Sequence, residues 1–252
     1  MAGGRLLARR RAVLRCRLRD RPRGLVVRAR RGHGAVNVFE EGAVTDEVLA
    51  RAGAQLAAES ARFAARGWMP GTAGNLSVTV GRDPLRLAVT ASGLDKGELA
   101  SSDIVIVDAD GAGVRGEGGS EQRPSAEAGL HARIAAVTGA GAVIHVHALS
   151  AVTAGHHWPE GVVLRDLEML KGIGHSAHGE TVTIPVIANG QDMTVLGDAF
   201  EALYVRPASG SNDVPALIVA DHGIYAWGRD LRQARWHLEL TEALLQIALA
   251  RR

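Results

Sequence analysis

Residues 142–151 read "AVIHVHALSA" and place two histidines, His145 and His147, two positions apart in an otherwise apolar run. A short apolar run of this kind is typical of a buried strand. Side chains alternate between the two faces of a strand, so both imidazole rings are predicted to lie on one face. Two imidazoles on one face can bind one metal ion. The alternative is a core histidine with a polar partner, and a single His-x-His pattern leaves both interpretations open.

A third histidine follows a second apolar run. Residues 215–223 read "PALIVADHG", which predicts His222 at the end of a strand, beside a glycine that permits a tight turn. A catalytic zinc site needs a third protein ligand and an open coordination position. His222 is therefore the predicted third ligand beside His145 and His147. Histidine ligands also suit Fe²⁺, Co²⁺ and Ni²⁺, so the pattern leaves the metal open.

Strand-like and helix-like segments alternate around these runs. Thr45 is a predicted N-cap of a helix that ends at Gly67, and Asp230 is a predicted N-cap of the last helix, whose apolar residues form one stripe. Further helices are predicted at 125–137, 165–171 and 192–203. One strand is predicted to begin after residue 75, and others are predicted at 85–93, 103–111, 142–149, 181–187 and 215–228. Some neighbouring strands also read as hairpins. The predicted fold is therefore α/β with three layers, a central mixed or antiparallel sheet covered by helices.

The charge is concentrated at one end of the chain. Residues 1–33 contain 12 arginines and one acidic residue, Asp20, so the formal charge of this segment is +11. Because the whole chain has a formal charge of +2, the remaining residues carry −9. Strongly biased charged segments seldom fold, so residues 1–44 are predicted to be a basic, disordered extension, with a transit peptide or a nucleic-acid arm as alternatives. Residues 45–252 are predicted to form a single folded domain, whose acidic charge gives no reason to expect nucleic-acid binding.

The single cysteine and the hydropathy bear on the compartment. Cys16 has no second cysteine to pair with, which indicates a reducing environment. The apolar stretches are much shorter than a membrane span, so a soluble, cytoplasmic protein with no membrane partner is expected.

Of the other histidines, His33 belongs to the basic extension, and the rest are predicted to lie on surfaces or at helix caps; they are His131, His156, His157, His175, His178 and His237. His131 follows Glu127 by four residues, so the two share a helix face. A solvated pair is the favoured interpretation, with a position behind the metal site as the alternative.

Three loops have the groups that bind phosphate, namely small hydroxyls, amides and backbone N–H groups. They are "GTAGNLS" (71–77), "TASG" (90–93) and "RPSAE" (123–127). Ser125 is also predicted at a helix N-terminus, where anions are favoured. Ordinary turn chemistry explains each loop taken alone, and neither a Walker A motif nor a dinucleotide fingerprint occurs.

Taken in order, "GTAGNLS", "SG", "PSAE", "HVH" and "DHG" resemble the class II aldolase family of metal-dependent sugar-phosphate lyases and epimerases. The resemblance covers roughly residues 45–250. Within this family, the motifs "RGWMPGTAGNLS", "SGLDKGEL", "GAGAVIHVHALSAV", "LEMLKGI", "NGQD" and "DHGIYAWGRD" are similar to those of the members that dehydrate 5-methylthioribulose 1-phosphate in methionine salvage.

The resemblance implies a ligand set and partners. It implies one Zn²⁺ per subunit, held by His145, His147 and His222, and a sugar phosphate as substrate. It implies phosphate contacts from Thr72, Asn75, Ser92, Gly93 and Ser125. It also implies a homotetramer in which each site lies near a subunit boundary.

Two glutamates are candidates for acid–base catalysis. Glu127 matches the acid/base position of the aldolases, whereas Glu168 in "LEMLKGI" matches the acid/base glutamate of similar dehydratases and is favoured for the dehydration. From the residues alone, Glu168 reads as an exposed helix carboxylate paired with Lys171. Trp68, Met69 and Met169 are candidates for an apolar wall around the thioether of the substrate.

The alternative is an aldolase or epimerase acting on fuculose, rhamnulose or ribulose phosphates. It would place Glu127 or a tyrosine at the centre of the reaction, and the chain has two tyrosines, Tyr204 and Tyr225. Ala126 stands where aldolases often have a second serine, which counts against a plain aldolase.

Overall fold

The computed structural model describes residues 44–115, 122–205 and 213–252. The predicted extension, residues 1–44, therefore lies outside the described residues except for Val44. The helices are α1 (Asp46–Ala65), α2 (Ala128–Thr138), α3 (Leu149–His157), α4 (Met193–Val205) and α5 (Leu231–Ala250). The strands are β1 (Asn75–Arg82), β2 (Leu85–Thr90), β3 (Ile104–Val107), β4 (Ala142–Val146), β5 (Val162–Arg165), β6 (Thr181–Ile184), β7 (Val186–Ile187), β8 (Ala216–Val219) and β9 (Gly223–Gly228).

A seven-stranded sheet forms the centre of the described part of the chain, in the order β3-β2-β1-β4-β9-β8-β7. Its neighbours are antiparallel except for the parallel pair β7 and β8, and β5 and β6 form a separate two-stranded sheet. Helices α1, α3 and α5 pack on one face of the large sheet, and α2 and α4 on the other. The predicted three-layer α/β arrangement with a mixed sheet is thus confirmed.

Alternation along β4 separates the two cores. Ile144 and Val146 pack in the core on the α1 and α5 side, whereas Val143 packs with α2 and α4. His145 has the same parity as Val143 and therefore faces the α2 side. His145 thus interrupts the core on the α2 side rather than the core on the α1 and α5 side.

Local capping signals are confirmed at both ends of the described chain. The Thr45 hydroxyl accepts a hydrogen bond from the Val48 N–H, and the Asp230 carboxylate accepts one from the Gln233 N–H. These bonds satisfy first-turn N–H groups that have no partner within the helix.

Several predicted elements differ from the observed ones. The segment 181–187 is divided at Pro185 into β6 and β7, which belong to different sheets, and residues 165–171 become a 3₁₀ helix at Glu168–Ile173. Helix α2 begins at Ala128, so Ser125 precedes it rather than starting it. Helix α3 was not predicted, because the group that caps its first turn is far away in the sequence. The buried Glu242 of α5 accepts backbone hydrogen bonds from Ser150 and Ala151.

None of the described helices is both long enough and apolar enough to cross a bilayer.

Candidate metal centre

His145 and His147 lie side by side at the end of β4. The His145 side chain is fully buried, and its Nε2 is 3.0 Å from the Nε2 of His147. His147 follows the last residue of the strand, and its backbone N–H donates to the carbonyl of Trp68 at 2.9 Å. This bond holds the chain in register just beyond the strand, so the two rings keep one orientation.

His222 reaches the same place from the turn between β8 and β9. Asp221 has a φ of 53°, and the His222 N–H donates to the Val219 carbonyl at 3.2 Å. A Cβ atom at Gly223 would lie 2.4 Å from the Val146 carbonyl oxygen, so a glycine is needed for β9 to approach β4. The turn brings the His222 ring to 4.9 Å from His145 and 4.7 Å from His147, measured between centroids.

Glu127, the residue that precedes α2, is the fourth member of this group. Its Oε1 lies 2.9 Å from His222 Nε2, and its Oε2 lies 3.5 Å from His145 Nε2. The Asn75 side chain donates a hydrogen bond to Oε2. Four potential ligand atoms, one from each residue, all lie within 4.8 Å of one another; they belong to Glu127, His145, His147 and His222.

The donor set fits a divalent metal ion. His145 Nδ1 is 3.1 Å from the Ile224 carbonyl oxygen, which can only accept, so this nitrogen carries the proton and Nε2 presents a lone pair. Three imidazoles and a carboxylate are ligands that zinc and similar ions take in proteins. The Nε2 atoms of His145 and His147 lie 3.0 Å apart, close enough for both to reach one ion.

The protonation states suit metal binding. Burial lowers the pKa of His145 to about 3 and also lowers the pKa of His147, so both rings are neutral near pH 7. Burial by itself would raise the pKa of Glu127, but the nearby His145 and the hydrogen bonds with His222 and Asn75 outweigh it and hold the pKa well below its usual range. Neutral imidazole and an ionised carboxylate are the forms that coordinate metals.

A buried polar layer lies behind these groups, a position that the sequence offered for His131 as the alternative and not as the favoured interpretation. His131 is fully buried, with its Nδ1 2.8 Å from Ser77 Oγ, so the prediction of a surface position was wrong. Tyr225 pairs with His145 across β9 and β4 and stacks on its ring at a centroid distance of 4.1 Å. The helix face shared by Glu127 and His131 turns toward the sheet because it also carries the core residue Leu130.

The other histidines lie elsewhere. The side chain of His175 is 8% exposed, with Nδ1 2.8 Å from Glu180 Oε1, which also departs from the predicted surface position. His156 and His178 are largely exposed, as predicted, and His237 is partly buried, with Nδ1 bonded to the Trp227 carbonyl.

A pocket opens in front of the histidines. All five residues predicted to contact phosphate line it: Thr72, Asn75, Ser92, Gly93 and Ser125. Ser92 and Ser125 belong to segments joined by the bridge between Ala91 and Pro124, which is why two distant loops meet here. Lys96 and Met193 also line the pocket, and the sequence assigned them no role.

Glu168 does not join this pocket within one chain. It lies in the 3₁₀ helix that packs against α5, on the face of the sheet opposite α2. Its side chain is 71% exposed and accepts a hydrogen bond from Lys171 at 2.6 Å, which lowers its pKa. Trp68, Met69 and Met169 are also absent from the described lining of the pocket, where Met193 is the long apolar side chain.

Comparison with known proteins agrees with this arrangement. Residues 54–249 match the family described as Class II Aldolase and Adducin N-terminal domain. A protein of Thermus thermophilus whose crystal structure is named L-fuculose-1-phosphate aldolase is 26% identical, with a TM-score of 0.60, over 81% of this chain and 95% of that one.

Two relatives are more similar in sequence. The methylthioribulose-1-phosphate dehydratase of Acidiphilium cryptum is 39% identical over 82% of this chain and 93% of its own length. A Nocardia farcinica protein named "Probable bifunctional methylthioribose-1-phosphate isomerase/methylthioribulose-1-phosphate dehydratase" is 40% identical over 84% of this chain, which spans only 38% of that longer relative.

Proposed function

Because this chain belongs to the class II aldolase and adducin N-terminal domain family, we propose that it is a hydro-lyase acting on a sugar phosphate. The substrate is 5-methylthioribulose 1-phosphate, and the product is 2,3-diketo-5-methylthiopentyl 1-phosphate. The names of the similar dehydratases support this choice of reaction. The observation that carries the proposal is the meeting of three imidazoles and a carboxylate at a pocket lined by hydroxyl groups.

His145, His147 and His222 would hold the metal, proposed to be Zn²⁺, one per subunit. When bound, such an ion acts as a Lewis acid that makes the hydrogen next to the C2 ketone acidic. The hydrogen bond from His145 to the Ile224 carbonyl keeps Nε2 directed at the site. The stacked ring of Tyr225 limits rotation of the same imidazole.

The chain provides the groups that move protons and hold the phosphate. A glutamate removes the C3 proton, hydroxide then leaves C4 with a proton from an acid, and the resulting enol becomes the diketone. Glu168 is proposed as the acid–base group of the dehydration, and Glu127 as a second group that assists or orients a ligand. Thr72, Asn75, Ser92, Gly93 and Ser125 are proposed to contact the phosphate.

The position of Glu168 gives the proposed homotetramer a specific role. In one chain this side chain is exposed and lies outside the described lining of the pocket. A general base must reach its proton within hydrogen-bonding distance or through one water. Glu168 therefore acts, in this proposal, in the site of a neighbouring copy.

The test is a turnover assay with 5-methylthioribulose 1-phosphate, in which diketone formation is followed before and after chelation. We expect turnover that the chelator abolishes and zinc restores. His147→Asn should lose both metal and turnover, whereas His178→Asn, a change at an exposed ring, should lose neither. No turnover by protein that still binds metal would overturn the dehydratase assignment.

Aldol cleavage is the second candidate, and one observation favours it. Glu127 matches the aldolase acid/base position and lies at the centre of the ligand group, closer to the histidines than Glu168. Cleavage of fuculose 1-phosphate or rhamnulose 1-phosphate by protein that leaves 5-methylthioribulose 1-phosphate intact would establish it.

A further inference from the structure

Lys96 is a buried cation in the wall of the candidate pocket. Its residue surface is 2% exposed, yet it lines the pocket together with Thr72, Ser92 and Ser125. It lies in the loop after β2, within the motif "SGLDKGEL" at 92–99. Burial lowers the pKa of Lys96, while Asp95 and Glu127 oppose that shift through space.

The hydrogen bonds of Lys96 go to two neutral carbonyl groups, and its charge interacts with Asp95 and Glu127 only through space. The ammonium donates to the Leu94 carbonyl at 2.7 Å and to the Thr72 carbonyl at 3.2 Å. An ammonium has three N–H donors, and within the described residues the third has no partner and no carboxylate forms an ion pair with it. Neutral carbonyls and carboxylates beyond ion-pair distance compensate a buried charge only in part, so this arrangement favours an anion nearby.

The surroundings of Lys96 are those of an anion site. The bond to the Thr72 carbonyl joins the loop of Thr72 to the loop of Ser92 and Gly93, and Ser125 lies on the adjoining segment. Among the described residues that line the pocket, Lys96 is the one lysine, and no arginine is present. The hydroxyl and amide groups alone would leave a phosphate dianion without a fixed positive charge.

We propose that Lys96 binds the phosphate of the substrate and thereby makes the site specific for phosphorylated sugars. The proposal deepens the proposed function, on which it rests for the identity of the phosphate ester. Thr72 and Leu94 hold the ammonium in place, and the third N–H donates to a phosphate oxygen. A charge-assisted hydrogen bond of this kind is stronger than those from neutral hydroxyls.

The composition of the chain permits a direct test by NMR on the unaltered protein. The chain contains two lysines, Lys96 and the exposed Lys171, so selective ¹³Cε-lysine labelling yields two signals, assigned with Lys171→Arg. Inorganic phosphate is the probe, titrated at constant ionic strength against chloride. We expect the Lys96 signal to shift and saturate while the Lys171 signal stays in place. An unmoved Lys96 signal, or parallel drift of both signals, would overturn the proposal.

Substitution separates phosphate binding from a role in joining the loops. Lys96→Met should raise KM for the substrate, and the inhibition constant of inorganic phosphate, by at least about tenfold, with metal content unchanged. Arg51→Met, which removes an exposed cation of α1, is the matched control and should change neither. Lower thermal stability with unchanged phosphate affinity would show that Lys96 only joins the loops.

The two proposals can fail separately. The phosphate titration needs no turnover, so a saturable Lys96 shift in a protein that does not dehydrate 5-methylthioribulose 1-phosphate would reject the proposed function alone. Should Lys96→Met fail to fold, the titration of the unaltered chain still decides.

Discussion

The two candidate glutamates have different surroundings, so their substitutions are expected to have different effects. Glu127 contacts His145, His222 and Asn75, whereas Glu168 contacts Lys171 at an exposed position. A change at Glu127 should therefore affect metal binding directly. A change at Glu168 should leave the histidines as they are.

We expect both Glu127→Gln and Glu168→Gln to lower kcat by about 10²-fold or more, the usual contribution of a general acid or base. Only Glu127→Gln should also reduce the bound metal, because it alone alters a group beside the ligands. Steady-state kinetics with elemental analysis of each variant checks this. Full turnover by Glu168→Gln would favour the aldolase alternative.

His131 should make stability depend on pH. Burial lowers its pKa to about 4, below the value of 6.5 for an unperturbed histidine. The unfolded chain therefore binds a proton that the folded chain excludes, so the contribution is complete above pH 6.5 and is lost as the pH falls toward 4. The shift corresponds to about 3 kcal/mol.

Urea unfolding at pH 7 and pH 4.5, in the presence of chelator, measures this effect. The loss of unfolding free energy on acidification should be smaller in His131→Asn, which keeps a polar group for Ser77 but does not titrate. Equal losses in both proteins would show that other groups cause the acid sensitivity.

At the scale of elements, the site depends on how closely β9 approaches β4. The pairing of His145 with Tyr225 places an aromatic ring behind the metal ligand, and the turn before β9 carries His222. One strand contact thus positions two of the three histidines. Small changes in the spacing of these strands should therefore appear as changes in metal affinity.

Gly223→Ala tests this spacing. Its Cβ would lie 2.4 Å from the Val146 carbonyl oxygen and 3.0 Å from His145 Cε1, so the strands must separate. We expect a loss of about 1–3 kcal/mol of stability, typical of overpacking, together with weaker zinc binding. Gly113→Ala is the control, because its nearest neighbour would be at an ordinary 3.8 Å. Chemical denaturation and competition with a zinc chelator measure both quantities; identical zinc affinities would contradict the argument.

At the scale of the whole molecule, Glu168 is separated from the histidines by the central sheet. If neighbouring copies share sites as proposed, two inactive variants should complement each other. His147→Asn lacks a metal ligand but keeps Glu168, whereas Glu168→Gln keeps the histidines. A mixed oligomer contains sites with both groups intact.

We therefore expect turnover from co-expressed His147→Asn and Glu168→Gln chains that neither variant shows alone. Mixing the separately purified proteins without subunit exchange is the control and should give none. Failure of the co-expressed, hetero-oligomeric protein to turn over substrate would place Glu168 outside the shared site.

The sequence alone was enough for features that depend on neighbours along the chain. Spacing of two in an apolar strand placed His145 and His147 on one face, and hydroxyl or carboxylate caps began α1 and α5. The three-layer α/β order also followed from the alternation of periodicities. These features are local because strand alternation and capping involve groups only a few residues apart.

Only the tertiary structure decided which groups surround the histidines. His131 and Lys96 are buried, Glu127 lies among the ligand atoms, and Glu168 lies across the sheet. The place of Glu127 among the ligand atoms depends on β1, β4 and β9 being neighbours although they are far apart in the chain. Contacts between residues far apart in the chain decide which polar groups are buried and which hydrogen-bond partners they have. The periodicity of a single segment carries no information about such contacts.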